Sequence, residues 1–348
     1  MSPPPNELPS NEPLRLIGSP GSPYSRKLRA VLRYRRVPHL FVQRGSKDDR
    51  GYQEPKVVLL PMLVSPVAGG GEPEVALDST PLIRRLEAAF EGRSVIPTDP
   101  ALAFVDALIE DFADEWLTKA MFHYRWTYPP DIEKAAGILP RWARVDAPEE
   151  AMRERSAMFR DRQIGRLEVV GSNPITTPVI EASYRRLLAV LEVHFATRPF
   201  LFGGRPAASD FALYGQLTQL AAFDPTPASI ALDLAPRVVA WVEVLDDLSG
   251  FEPGGDDWEP DVPSTLRALL DEVGRLYVPF LLANAVALDS GAEWVDSEID
   301  GRPWRQKPFR YQGKCLAWLR AHYASLDTVR RVGVDRMLEG TGCRALFC

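Results

Sequence analysis

Two stretches of this chain place hydroxyls and a carboxylate where helices begin. In Ser19-Pro20-Gly21-Ser22-Pro23 a turn-rich loop runs straight into a helical pattern. Ser19, Ser22, Ser25 and Tyr24 all supply a hydroxyl there. The start of a helix carries free backbone N–H groups and a partial positive charge, so a hydroxyl beside it suits an anion. The second stretch, Asp78-Ser79-Thr80-Pro81, has a Ser or Thr cap and a proline for the first turn. Free N–H groups with a hydroxyl make a natural carboxylate site. Between them lies Val57-Val-Leu-Leu-Pro61-Met-Leu-Val64, an apolar run broken by a proline. A central strand tolerates that proline only if the proline begins it.

Other groupings lead to blander chemistry. Glu110, Asp111, Asp114 and Glu115 cluster ahead of His123, but no Glu-x-x-His spacing occurs. A solvated face or an acidic dimer groove is the expectation. His39, His123, His194 and His322 lie far apart without paired ligand spacing, so no metal site is expected. Gly69–Gly71 is no phosphate loop, because no Lys-Ser/Thr follows it. Cys315, Cys343 and Cys348 are odd in number and form no C-x-x-C pair, which fits a reduced cytoplasmic setting.

The elements that must position these residues follow from periodicity. Leu14–Gly18 reads as a strand, Tyr24 to about Arg36 as a helix, and Leu40–Val42 as a second strand, a β-α-β order that favours a parallel pair. The run ending at Val64 and the run Val75–Leu77 flank a glycine loop and read as a hairpin. A helix opens at Asp78 and runs through Phe90. Ser94–Pro100 is a linker, after which nearly everything reads helical. One helix is expected over Ala101 to about Trp126, and an irregular stretch over 127–176 around a polar helix near Glu149–Glu168. Further helices are expected at Pro178–Ala196, Phe211–Phe223 (buried all round) and Arg237–Leu248. The last hundred residues predict a helix over Pro263 to about Leu288, a hairpin turning at Asp300-Gly301, and helices Tyr311–Leu326 and Thr328–Leu338.

In that order, four stretches resemble the cytosolic glutathione transferases. SPYSRKLR (22–29) resembles the segment that places an activating residue before the first helix. LLPMLV (59–64) resembles the family's cis-proline strand start, and LDSTPLI (77–83) the acidic-Ser pair that opens a helix. FLFGGRPAASDFAL (200–213) with PRVVAWVEVL (236–245) resembles the start of the buried central helix and a later Trp-containing helix. The resemblance implies an α/β thioredoxin-like N-terminal domain followed by an all-α C-terminal domain. The implied boundaries are a disordered leader over 1–13, a glutathione-binding domain over 14–93, a linker over 94–100, a helical substrate domain over 101–250 and an extension over 251–348.

What the resemblance implies chemically is residue-specific. Glutathione attacks as a thiolate, and a thiol of pKa ~8.5 is mostly protonated at neutral pH. Ser22 takes the position of the hydroxyl that donates to sulfur, and making that thiol ten times more acidic needs only about 1.4 kcal/mol. No tyrosine lies in the first strand and no cysteine in the loop, which leaves a serine-type site. A cis Leu60–Pro61 bond would turn the Leu60 amide and carbonyl outward to pair with the cysteinyl backbone. Ser79 takes the γ-glutamyl carboxylate and Asp78 helps hold the amino group. Tyr24 and Tyr124 are assigned to the pocket of the second substrate, a small hydrophobic electrophile. Asp210 takes the place of the family's capping aspartate, with Ala207 where a Ser or Thr is usual, so its partner is open. A homodimer is implied. A non-catalytic scaffold of the same fold, or a glutathione-dependent lyase, dehalogenase or isomerase, would share this first domain.

Bulk properties set the outer limits. The 348 residues exceed a typical single core, and 45% hydrophobic with 25% charged residues is ordinary for a globular chain. A net charge of −6 without a strongly basic stretch argues against nucleic acid or an anionic membrane as partner. The most apolar window, Tyr277–Leu288, is too short to span a bilayer.

Overall fold

The computed structural model describes residues 13–67, 71–254 and 258–347. Residues 1–12 of the expected leader, Gly69 and Gly70 of the glycine loop, and Cys348 lie outside these.

The chain opens β1 (Leu14–Gly18), α1 (Pro23–Tyr34), β2 (His39–Gln43), β3 (Met62–Ser65), β4 (Glu74–Leu77) and α2 (Ser79–Ala89). The sheet order is β2-β1-β3-β4, with β1 parallel to β2 and antiparallel to β3, and β3 antiparallel to β4. α1 starts where Ser22 is extended (φ −98°, ψ 117°) and Pro23 supplies the preset φ of the first turn. Its apolar face, Leu28, Val31 and Leu32, is fully buried. Each such side chain contributes roughly 1.5–3 kcal/mol relative to exposure.

Helices follow: α3 (Pro100–Glu115), α4 (Leu117–Thr127), α5 (Pro129–Ile138), α6 (Glu149–Ile164), α7 (Thr177–His194), α8 (Ala208–Leu217), α9 (Pro225–Leu234) and α10 (Pro236–Leu245). The single helix expected over Ala101–Trp126 is two, because the helix is interrupted at Trp116 between α3 and α4. Part of the stretch expected to be irregular is α5, started by Pro129 and Pro130. α8 is buried at every position and runs on into a π-helical segment, Thr218–Phe223. It crosses α1 at Gly215, where a Cβ would lie 2.5 Å from the Pro23 carbonyl oxygen, so only glycine lets the two backbones approach this closely.

The C-terminal segment adds α11 (Ser264–Glu272), a π-helical segment (Val273–Tyr277), α12 (Val278–Ser290), the hairpin β5 (Val295–Ile299) and β6 (Arg302–Gln306), α13 (Arg310–Ser325) and α14 (Thr328–Met337). The hairpin turns at Asp300-Gly301, both with positive φ. One continuous buried cluster runs from Leu14 through the α3 and α8 side chains to Leu346. The last hundred residues therefore share the core of the rest. Among the described residues, no helix is long and apolar enough to cross a membrane.

Candidate functional site

Strand register brings three segments to one end of the sheet. Ile17 pairs with Met62, and Met62 with Leu77. Gly18, Pro61 and Asp78, the next residues at that end, therefore lie side by side across β1, β3 and β4. The loop to α1, the Leu60–Pro61 bond and the start of α2 all meet there. The Leu60–Pro61 bond is cis.

The α1 loop is held from several sides. The Ser22 N–H donates to the Ser19 carbonyl (3.0 Å), closing a turn. The Pro20 carbonyl accepts from Arg26 Nε and Gln219 Nε2, each at 3.1 Å. Arg125, on α4, donates to the Gly21 carbonyl (3.1 Å) and is itself paired with buried Asp224 (2.9 Å) and Gln219 (2.6 Å). Ser22 Oγ accepts from the Ser25 N–H at 3.2 Å, capping α1. Accepting that bond leaves the Ser22 hydroxyl proton to be donated elsewhere. Ser25 is buried and its Oγ accepts from the Ser19 N–H (3.3 Å), which engages it inside the loop.

Ser22 and Leu60 line an open cavity of about 320 Å³ whose far wall includes Phe122, Trp126 and Phe159. Arg125 belongs to the same wall. Its role is not legible from the sequence, where a lone arginine in a helix carries no signal; only the turn of α4 toward the loop reveals it.

The two tyrosines assigned to the second-substrate pocket do not line this cavity. The Tyr24 hydroxyl donates to the Asp114 carbonyl (2.9 Å), and burial raises its pKa well above the ordinary value. Tyr24 therefore secures α1 to α3. Tyr124 is buried, stacked on Tyr128 with ring centroids 5.7 Å apart and edge-on to Tyr184 at 5.5 Å. It points into the core, while Met121, Phe122, Arg125 and Trp126 on the same helix line the cavity.

At the start of α2, Ser79 is buried and Asp78 adopts φ +76°. The Asp78 carboxylate does not cap its own helix; it accepts from the Tyr311 hydroxyl at 2.5 Å. Neither Asp78 nor Ser79 lines the cavity beside Ser22.

The acidic cluster is not a solvated face. Glu110, Asp114 and Glu115 are buried. Lys27 of α1, itself fully buried, pairs with Glu110 (2.7 Å) and Asp114 (2.5 Å) and donates to Thr80 Oγ1 (2.9 Å). Burial opposes the charge on Lys27, but Asp114 and Glu110 hold its pKa above the ordinary value. These carboxylates thus join the starts of α1 and α2 to α3. Asp210 supports the same frame from α8. It accepts from the Leu201 N–H (2.9 Å) and the Ala207 N–H (2.8 Å). The cap that Ala207 lacks is replaced from another helix, since Asp106 of α3 accepts from the Ser209 N–H at 2.9 Å. Among the described residues no group of three or more His, Cys, Asp or Glu is arranged to hold a metal ion.

Residues 16–94 match the family model of the glutathione S-transferase N-terminal domain, and residues 149–243 match that of the C-terminal domain. This chain belongs to the glutathione S-transferase family. The matched spans are the thioredoxin-like unit of β1–β4, α1 and α2, and the helices from α6 to α10. Similar solved structures include a glutathione transferase family member from Pseudomonas fluorescens with two glutathione bound, 16% identical, covering 69% of this chain and 88% of that one at a TM-score of 0.36. A glutathione transferase from Burkholderia graminis, also with two glutathione molecules per subunit, is 18% identical over 67% of this chain and 83% of its own at 0.41. A glutathione S-transferase from Rhodospirillum rubrum is 16% identical over 73% and 97% at 0.40. No curated protein matches the chain. Within this family member, residues 244–348 lie beyond the matched C-terminal domain and include the Tyr311 that reaches Asp78.

Proposed function

We propose that this chain is a glutathione transferase that binds glutathione at the end of the sheet where Ser22, Leu60-Pro61 and Asp78-Ser79 converge. The carrying observation is the Ser22 hydroxyl, which accepts from the Ser25 N–H at the start of α1 and faces the cavity with its proton free to donate. A thiolate placed there gains a hydrogen bond and the favourable end of the α1 dipole, and both lower the thiol pKa. Leu60, before the cis bond, offers its amide and carbonyl to the cysteinyl backbone. The α2 start receives the γ-glutamyl carboxylate, and the Asp78 carboxylate its ammonium. Phe122, Trp126 and Phe159 form the wall against which a small hydrophobic electrophile packs before attack.

The domain boundaries implied at residues 14–93, 101–250 and 251–348 are retained as the proposed organisation. A reduced cytoplasmic setting is proposed as well, supported by the free, buried Cys315 and Cys343. The proposed assembly is a homodimer, supported by the exposed apolar run Val57, Val58 and Leu59 and tested by sedimentation velocity.

Calorimetric titration of glutathione tests the core of this reading: heat of binding is expected at millimolar ligand or below, and its absence sinks the proposal. An aryl-halide and enone panel then separates conjugation from a binding-only scaffold.

A further inference from the structure

The contact between Asp78 and Tyr311 has no part in the chemistry described so far. Asp78 sits at the cap position of α2, where an aspartate ordinarily turns back onto the first N–H groups of its helix. Here it does not. Its backbone is at φ +76°, and its Oδ2 accepts from the Tyr311 hydroxyl at 2.5 Å, across 233 residues of chain.

Tyr311 is fixed on both sides. The residue two before it is clasped by buried Asn284, which accepts from the Phe309 N–H (2.8 Å) and donates to the Phe309 carbonyl (3.0 Å). The residue after it, Gln312, is buried and donates to Glu115 Oε2 on α3 (3.1 Å). The Tyr311 ring meets Trp318 edge-on at 5.9 Å. Burial, then the bond to Asp78, raise the Tyr311 hydroxyl far above its ordinary range, so it stays protonated and donates.

We propose that Tyr311, in the C-terminal segment beyond the matched domains, is a positioning residue of the glutathione site, holding the Asp78 carboxylate off its own helix. The inference rests on the glutathione reading given above. Its consequence is twofold. The α2 N–H groups are left open to the γ-glutamyl carboxylate, and one Asp78 oxygen remains aimed for the γ-glutamyl ammonium. Without the tyrosine hydroxyl, Asp78 is free to cap α2 and compete with the ligand for the same N–H groups.

Tyr311→Phe keeps the ring and its packing and removes only the donor. The KM for glutathione should rise roughly ten-fold, with kcat at saturating glutathione unchanged and Tm nearly unchanged. Cysteinylglycine, a thiol without the γ-glutamyl group, should be used equally well by wild type and variant. In a double-mutant cycle, Asp78→Asn with Tyr311→Phe should cost no more than Asp78→Asn alone. An unchanged KM, additive effects, or an equal loss with cysteinylglycine each overturns the positioning role while leaving the glutathione reading intact. If wild type gives no binding heat with glutathione at all, the glutathione reading and this inference fall together.

Discussion

The starts of α1 and α2 lie at the same end of one sheet, yet they are held by different parts of the chain. The α1 start is anchored by the helical half: Arg125 and Gln219 hold the carbonyls of its loop, and Ser22 caps the helix locally. It opens onto an aromatic-walled cavity. The α2 start is anchored by the C-terminal segment through Tyr311, and its aspartate is withheld from capping. One start presents a hydroxyl proton; the other presents free N–H groups beside a carboxylate. The difference teaches that a short motif sets local shape, while distant anchors decide which polar group is left over for a ligand.

The two starts share one bolt, and removing it should disturb both. Lys27→Met leaves Glu110 and Asp114 buried without their cation and frees Thr80 at the head of α2. A loss of about 3–5 kcal/mol is expected, read by urea or thermal unfolding. Breaking only the α1 side calls for Ser22→Ala. The expected fall in kcat/KM is ~10- to 100-fold, as for a hydrogen bond to a charged group, with about 1 kcal/mol of stability lost with the cap. Ser25→Ala should cost far less activity; the reverse ranking would move the role to Ser25.

Gly215→Ala pushes a methyl group against the Pro23 carbonyl and should tilt α1 without touching α2. About 1–3 kcal/mol of destabilisation is expected, with activity affected more than glutathione affinity. The smallest effect concerns the contact between α3 and α13. Burial, then the charges of Asp111 and Asp114, raise the Glu115 pKa to about 8. An unfolded glutamate has a value near ~4.3. Between those limits the folded chain keeps a proton that the unfolded chain has released. That contribution is complete in acid and is lost as pH rises toward 8, at up to about 1.4 kcal/mol per pH unit. Glu115→Gln should flatten this part of a stability profile measured from pH 5 to 9; an unaltered slope would assign it to another carboxylate.

Legibility in the sequence follows the range of the forces involved. β1, α1, the strand begun at Pro61, the start of α2 and the hairpin at Asp300-Gly301 are readable, because turn chemistry and apolar periodicity act over a few residues. The interruption at Trp116 is not, since the apolar pattern continues through it. The acidic residues of α3 look solvated in sequence because charge normally marks a surface. Their burial depends on Lys27, Arg84, Tyr277 and Gln312, which arrive from other elements. The aromatic set after Trp116 lies on the expected helix, but its cavity face differs from the expected one: Tyr124 is core, and Phe122 and Trp126 line the cavity. Ala207 looks like a missing cap, while the replacement from Asp106 lies 103 positions away.

By itself, the sequence determined the order of elements, the family and the local conformations at Ser22, Pro61 and Asp78, all of which depend on neighbours in the chain. Tertiary structure decided which hydroxyl keeps a free proton, which aromatics face the cavity, and that the last hundred residues reach the start of α2. Those outcomes rest on contacts between residues about 90 to 230 positions apart. Such contacts form only when the packed core brings distant polar groups together and burial makes each of them find a partner.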